Sequence, residues 1–128
     1  MAWRESHDVE PQIHQNPIPT ATRTGNMLFT SVIGGRDLVT GKVPDDPAEQ
    51  ARNVFKILQK ILDKFGATAG DVAMVHVFIR EPSVRALVNL PWVEMFPDEH
   101  SRPARHTTMD ESLGGAVQIE AIAVVEPK

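Results

Sequence analysis

"DVAMVHVFIR" (Asp71–Arg80) is the stretch on which the fold turns. Its branched and aromatic residues favour an extended chain. Alternation puts Ala73, Val75, Val77 and Ile79 on one side and Val72, Met74, His76 and Phe78 on the other. Both sides are apolar apart from His76, which reads as a satisfied core histidine. A strand of this kind needs cover on both faces. The chain has 128 residues, enough for one domain with about two helices, and two helices cover one side of a sheet. The other side is expected to meet further copies of the chain.

The segments on either side supply the helices. Asp46 reads as an N-cap, Pro47 as the first helical residue, and Glu49 as the third position after the cap, a capping box with a proline start. Ala51, Val54, Phe55, Leu58, Ile61, Leu62 and Phe65 recur at helical spacing, and Gly66 supplies a left-handed C-terminal residue. Residues 82–96 read as a second helix that Pro91 kinks or cuts short, since proline removes a donor and clashes with the previous turn. "MLFTSVI" (Met27–Ile33) reads as a strand after a Gly-Asn turn, broken by Gly34-Gly35. Residues 1–16 are read as a Pro-rich, non-periodic arm ahead of a single domain over 17–128.

"RPARHTTMDESLGGAVQIEAIAVV" (Arg102–Val125) reads as two strands joined through Gly114-Gly115. The complete order, β-β-α-β-α-β-β, is α+β, with two helices on one face of a mixed sheet. The last strand carries Glu120 among apolar residues. A carboxylate buried there is costly unless paired, and perturbed carboxylates gather at functional sites. Two readings stand: a structural ion pair with Arg105, or a general acid/base that orients water. Arg105 is either a structural charge or a clamp for a substrate carboxylate, to which its planar fork is suited.

Composition narrows the classes. The net charge of −4 provides no surplus to neutralise phosphates, so nucleic acid is not an expected partner. There is no cysteine, which removes disulfide, zinc-thiolate and thiol-nucleophile chemistry. The five histidines show no metal-ligand spacing, so a metal site is not expected. The polar N-terminus lacks an apolar signal core and no apolar run is of spanning length, so the expectation is a cytoplasmic protein with no membrane partner.

Taken together, "GNMLFTS" (Gly25–Ser31), "TGKVPDDPAEQARNVFKILQKIL" (Thr40–Leu62), "GATAGDVAMVHVFIR" (Gly66–Arg80), "RPAR" (Arg102–Arg105) and "QIEAIAV" (Gln118–Val124) resemble the RidA/YjgF family of reactive-intermediate deaminases. The resemblance implies a chorismate-mutase-like domain with a mixed six-stranded sheet, two helices on one face, and a trimeric barrel with sites between subunits. By this resemblance Arg105 grips the carboxylate of a 2-imino or 2-enamino acid and Glu120 activates the attacking water. Ser31 and Asn89 fall on the family's serine and asparagine, and backbone amides near Val32 and Thr107 complete the carboxylate pocket. The chain departs from the family at Ile18, where a tyrosine is usual, at Thr107, often cysteine, and at Val32, often glycine. These changes touch the wall around the substrate's other end, which implies retained chemistry on a different or larger substrate.

The activity expected from the resemblance is hydrolysis of a small 2-imino or 2-enamino acid to the 2-oxo acid and ammonia by a cofactor-free homotrimer. Two alternatives stand beside it. One is a pathway-specific deaminase or hydrolase of a ring-cleavage product such as an aminomuconate-like acid. The other is a trimer that binds carboxylate ligands without catalysis.

Overall fold

The structure, a computed structural model, describes residues 2–127. In chain order the elements are β1 (Arg4–His7), β2 (Ala21–Thr24), β3 (Met27–Thr30), β4 (Ile33–Gly34), α1 (Pro47–Lys64), β5 (Val72–Ile79), α2 (Val84–Met95), β6 (Ala104–Met109) and β7 (Val117–Val124). They form one seven-stranded sheet of order β1-β2-β3-β7-β5-β6, with the short β4 also paired to β7. Only β5 and β6 are parallel. Both helices pack on one face, as the pattern of apolar residues predicts.

That face is sealed. Val75, Val77 and Ile79 of β5 and Ile119 of β7 are fully buried, together with Val54, Ile57, Leu58, Ile61 and Leu62 of α1. Helix α1 starts where Asp46 Oδ1 accepts from Ala48 N at 3.1 Å, and Glu49 adds an acidic residue to the first turn. It ends in paired C-terminal bonds, Gly66 N to the Asp63 carbonyl and Ala67 N to the Leu62 carbonyl, with Gly66 at φ +71°. Helix α2 runs through Pro91 without ending. Pro91 is buried beside Trp92, whose ring meets Phe55 of α1 edge-on, so packing between the helices offsets the missing donor.

Three expectations are corrected. The closing segment is not a hairpin: β6 and β7 lie on opposite edges of β5, with Val75 opposite Arg105 and His76 opposite Glu120. Helix α2 is the crossover that returns the chain parallel to β5. Residues 110–116 then pass over the end of β5, anchored by Asp110 N to the Ile79 carbonyl and Arg80 N to the Ala116 carbonyl. The strand expected over Met27–Ile33 is split into β3 and β4. Thr30 Oγ1 takes the Ala121 N–H at 2.9 Å, and the register slips by one residue between Phe29–Ile122 and Ile33–Ile119.

The third concerns residues 1–16. They carry an edge strand, β1, held by Arg23–Glu5 at 3.2 Å, and a buried polar knot behind it. Thr20 Oγ1 accepts from Val9 N and donates to the Gln12 carbonyl, while Gln12 Oε1 accepts from Gly34 N at 2.7 Å. Polar composition hid this segment because its ordering rests on side-chain hydrogen bonds. Together with the split of Met27–Ile33 into β3 and β4, this strand brings the sheet to seven where six were expected.

A second polar seam fixes the loop before α1. Gln50 is buried on α1, its Oε1 accepting from Ala116 N and its Nε2 donating to the Pro44 carbonyl. Gly35 lies so close that an added Cβ would sit 2.7 Å from Gln50 Cα. Gly35→Ala is therefore expected to cost about 1–3 kcal/mol, as overpacking does. Urea unfolding should show a lower midpoint with an unchanged m-value, and an unshifted midpoint would contradict the tight approach.

Candidate active site

The pairing of β5 with both neighbours sorts the candidate residues by face. Directly paired residues share a face of the sheet, and Val75 and His76 are consecutive. Arg105, opposite Val75, therefore lies on the helix side, while Glu120, opposite His76, lies on the open side. They form no ion pair, so the reading of Glu120 as the structural partner of Arg105 is not met within one chain.

On the helix side, Arg105 Nη2 donates to Asn89 Oδ1 of α2 at 2.9 Å, and the guanidinium carbon stands 5.1 Å from the centroid of the Trp92 ring. An acceptor and an aromatic face together fix the plane of the fork. Burial, and then the nearby Arg85, push the Arg105 pKa down from its ordinary value. Among the described residues no carboxylate lies within ion-pair distance of Arg105. Thr107, paired with Val77, is half-buried on this same side. Arg105, Asn89 and Thr107 thus form one group at the β6 end of the sheet.

Ser31, Val32 and Ile18 form another. Ser31 donates through Oγ to the Pro19 carbonyl at 2.8 Å and through its amide to the Thr20 carbonyl. Ile18 is 45% exposed and lines a cavity of about 410 Å³ with Ser6, Asp8, His14 and Asn16. Val32 follows Ser31 into the break between β3 and β4 and is half-buried.

Glu120 was expected to be buried on sequence grounds, but its side chain is 43% exposed on the open face. It lines a cavity of about 290 Å³ with Phe29, Thr30, Met74, His76 and Ile122. His76 Nδ1 lies 3.4 Å from Glu120 Oε1. The sequence reading placed His76 in the core and did not connect it to Glu120. The link depends on β5 lying between β6 and β7, which a hairpin reading conceals. Among the described residues, no group of three or more His, Cys, Asp or Glu side chains is arranged to hold a metal ion. No helix there is long and apolar enough to cross a membrane.

A mixed sheet with two helices on one face, an oriented guanidinium at one end and a carboxylate on the open side defines a class of small α+β proteins. Comparison with known proteins gives the family. Residues 11–125 match the family described as endoribonuclease L-PSP. The chain is 34% identical over 103 residues to a 2-iminobutanoate/2-iminopropanoate deaminase of Escherichia coli, covering 78% of this chain and 80% of that one. It is 33% identical over 91 residues to the 3-aminoacrylate deaminase RutC of Acinetobacter baylyi, covering 70% and 71%. The crystal structure of the YjgF gene product of E. coli superposes with a TM-score of 0.83 at 29% identity, covering 94% of this chain and 98% of that one. The chain belongs to the RidA/YjgF family.

Arg105→Lys tests the clamp directly. Lysine keeps the charge but loses the fork and with it the guanidinium's contacts to Asn89 and Trp92. Calorimetric affinity for a simple 2-oxo acid is expected to fall roughly 10- to 100-fold, the loss of about one charge-assisted hydrogen bond. Unchanged affinity would remove Arg105 from the site.

Proposed function

We propose that the protein hydrolyses a small 2-imino or 2-enamino carboxylic acid to the 2-oxo acid and ammonia. The observation that carries this is Arg105: a partly desolvated guanidinium, held by Asn89 and lying over Trp92, beside Arg85 and with no anionic partner among the described residues. Such a group is complementary to a carboxylate that arrives with the substrate. The names of the deaminase relatives support the same reading.

Arg105 and Glu120 lie on opposite faces of one sheet, so one substrate meets both only where two copies of the chain abut. The open face suits such an assembly. Met27, Phe29 and Val124 are each about 40% exposed there, and Met74, Phe78 and Ile122 are half-buried beside them. We read the protein as a homotrimer whose sheets face inward, with Arg105, Asn89 and Thr107 from one copy completing a site with Ser31, Val32 and Glu120 from the next. Ile18 and its cavity would form the wall at the substrate's far end, where there is room for more than a short aliphatic chain.

In this site Arg105 fixes the carboxylate and hence the adjacent C=N carbon, and positioning supplies much of the rate. Glu120 takes a proton from water as its oxygen bonds to that carbon and passes it to the nitrogen, giving a carbinolamine. Glu120 then takes the hydroxyl proton and delivers it to the nitrogen as the C–N bond breaks, C=O forms and ammonia leaves. Water is consumed and no electron changes hands, so the residues named are sufficient.

The direct test is ammonia release from 2-imino acids generated in situ. Glu120→Gln, nearly isosteric but unable to take up a proton, should lower turnover by roughly 100-fold or more while changing carboxylate affinity little. A wild-type protein that binds carboxylates yet releases no ammonia from any imino acid would instead be a binding module. Sedimentation equilibrium at micromolar concentration should give three chains per particle, as an assembly that buries a sheet face is obligate. A well-folded monomer would sink the shared site.

A further inference from the structure

His76 has no part in the scheme above, yet it is the residue held most closely to Glu120. Its ring has three restraints. Nε2 lies 2.8 Å from Thr108 Oγ1 on β6, the ring stacks on Phe78 with centroids 4.2 Å apart, and Nδ1 faces Glu120 Oε1 across β5 and β7 at 3.4 Å. It also lines the cavity into which Glu120 opens. The other titratable group facing it, among the described residues, is His106 of β6, edge-on at 6.3 Å. Its strand neighbours Met74 and Phe78 carry no charge, β3 offers Phe29 and Thr30, and the helices lie on the far side of the sheet.

We infer that His76 is a positioning residue for Glu120, holding one carboxylate oxygen through an Nδ1–H so that the other is aimed at water in the cavity. This rests on the deaminase reading. The chemistry of the contacts fixes the tautomer. A carboxylate only accepts, so Nδ1 must carry the proton, and a neutral imidazole then has a bare Nε2 that takes the Thr108 hydroxyl proton. Phe78 keeps the ring in the plane that serves both contacts. At 3.4 Å the approach to Glu120 is an ion-pair-range contact, longer than the usual N–H···O bond, and it tightens to one as the carboxylate is aimed at water.

Glutamine at this position keeps a donor that can hold the same carboxylate oxygen.

The experiment combines three variants with wild type, all as the full chain. In His76→Phe, kcat should fall on the order of 10- to 100-fold with KM little changed, because the water-directing group has lost its hold and Arg105 is untouched. His76→Gln should restore most of that rate, because the amide can still donate to the carboxylate. Independently of activity, the side-chain nitrogen resonances of His76, assigned by their loss in His76→Gln, should report the Nδ1–H tautomer. Thr108→Val should shift the population toward Nε2–H. A wild-type deaminase whose kcat is unchanged in His76→Phe overturns the positioning role alone, as does an Nε2–H tautomer in wild type. A wild-type protein that releases no ammonia overturns the deaminase reading and this role with it.

Discussion

Everything in this molecule depends on β5 being paired on both edges, parallel to β6 and antiparallel to β7. A central strand alternates its side chains between two environments and imposes that alternation on its partners. Val75 draws Arg105 to the helix side, where Asn89 and Trp92 can orient it. His76 draws Glu120 to the open side, out of the helix-packed core. A slip of one residue would take Arg105 away from Asn89 and Trp92 in the one register, or turn Glu120 into the sealed core in the other. The apolar row Val75, Val77 and Ile79 therefore fixes the site as well as the core.

The polar side chains in the interior have a related task. Gln12, Thr20, Gln50 and Asn53 are buried, and each serves the backbone of a segment that has no ladder partner there. Asn53 donates to the Gly35 carbonyl, Gln50 holds Ala116, and Thr20 and Gln12 tie residues 9–12 to the sheet. Buried backbone groups must be satisfied, and in this chain loops are held by side chains of α1 and of the N-terminal segment. Ser31 and Ile18 lie next to this framework, so their positions depend on hydrogen bonding more than on apolar packing.

The parts legible in the sequence were those with a local physical signal. The Asp46–Pro47 start and Gly66 end of α1 follow from capping and backbone freedom, and the two-sided apolar run of β5 follows from period alone. Arg105 and Glu120 stood out in the sequence as candidates for chemistry, with Asn89, Ser31 and Thr107 added by resemblance. What was not legible was long-range pairing. Two extended runs around Gly114-Gly115 read as a hairpin, and nothing between them announces that β5, some thirty residues earlier, is inserted there. The N-terminal strand was missed for a different reason, since a Pro-rich polar segment gives no periodic pattern when its order comes from Thr20 and Gln12. His76 was visible as an oddity, but its meaning required the register.

The position of β7 has a consequence for how the molecule is made. It is the final strand in chain order, yet it sits in the middle of the sheet, joining β1-β2-β3 on one side to β5-β6 on the other. Until it docks, the earlier strands form two separate ribbons, each with an unpaired edge, and their closure spans most of the chain. Contacts of such sequence separation are slow to form, because chain entropy is lost before they stabilise anything. During synthesis from the ribosome, the amphipathic α1 and the β5-α2-β6 unit emerge with apolar surface that only β7 completes. The strand that carries Glu120 is thus also the keystone of assembly, and a nascent chain stays open at its centre until that strand arrives.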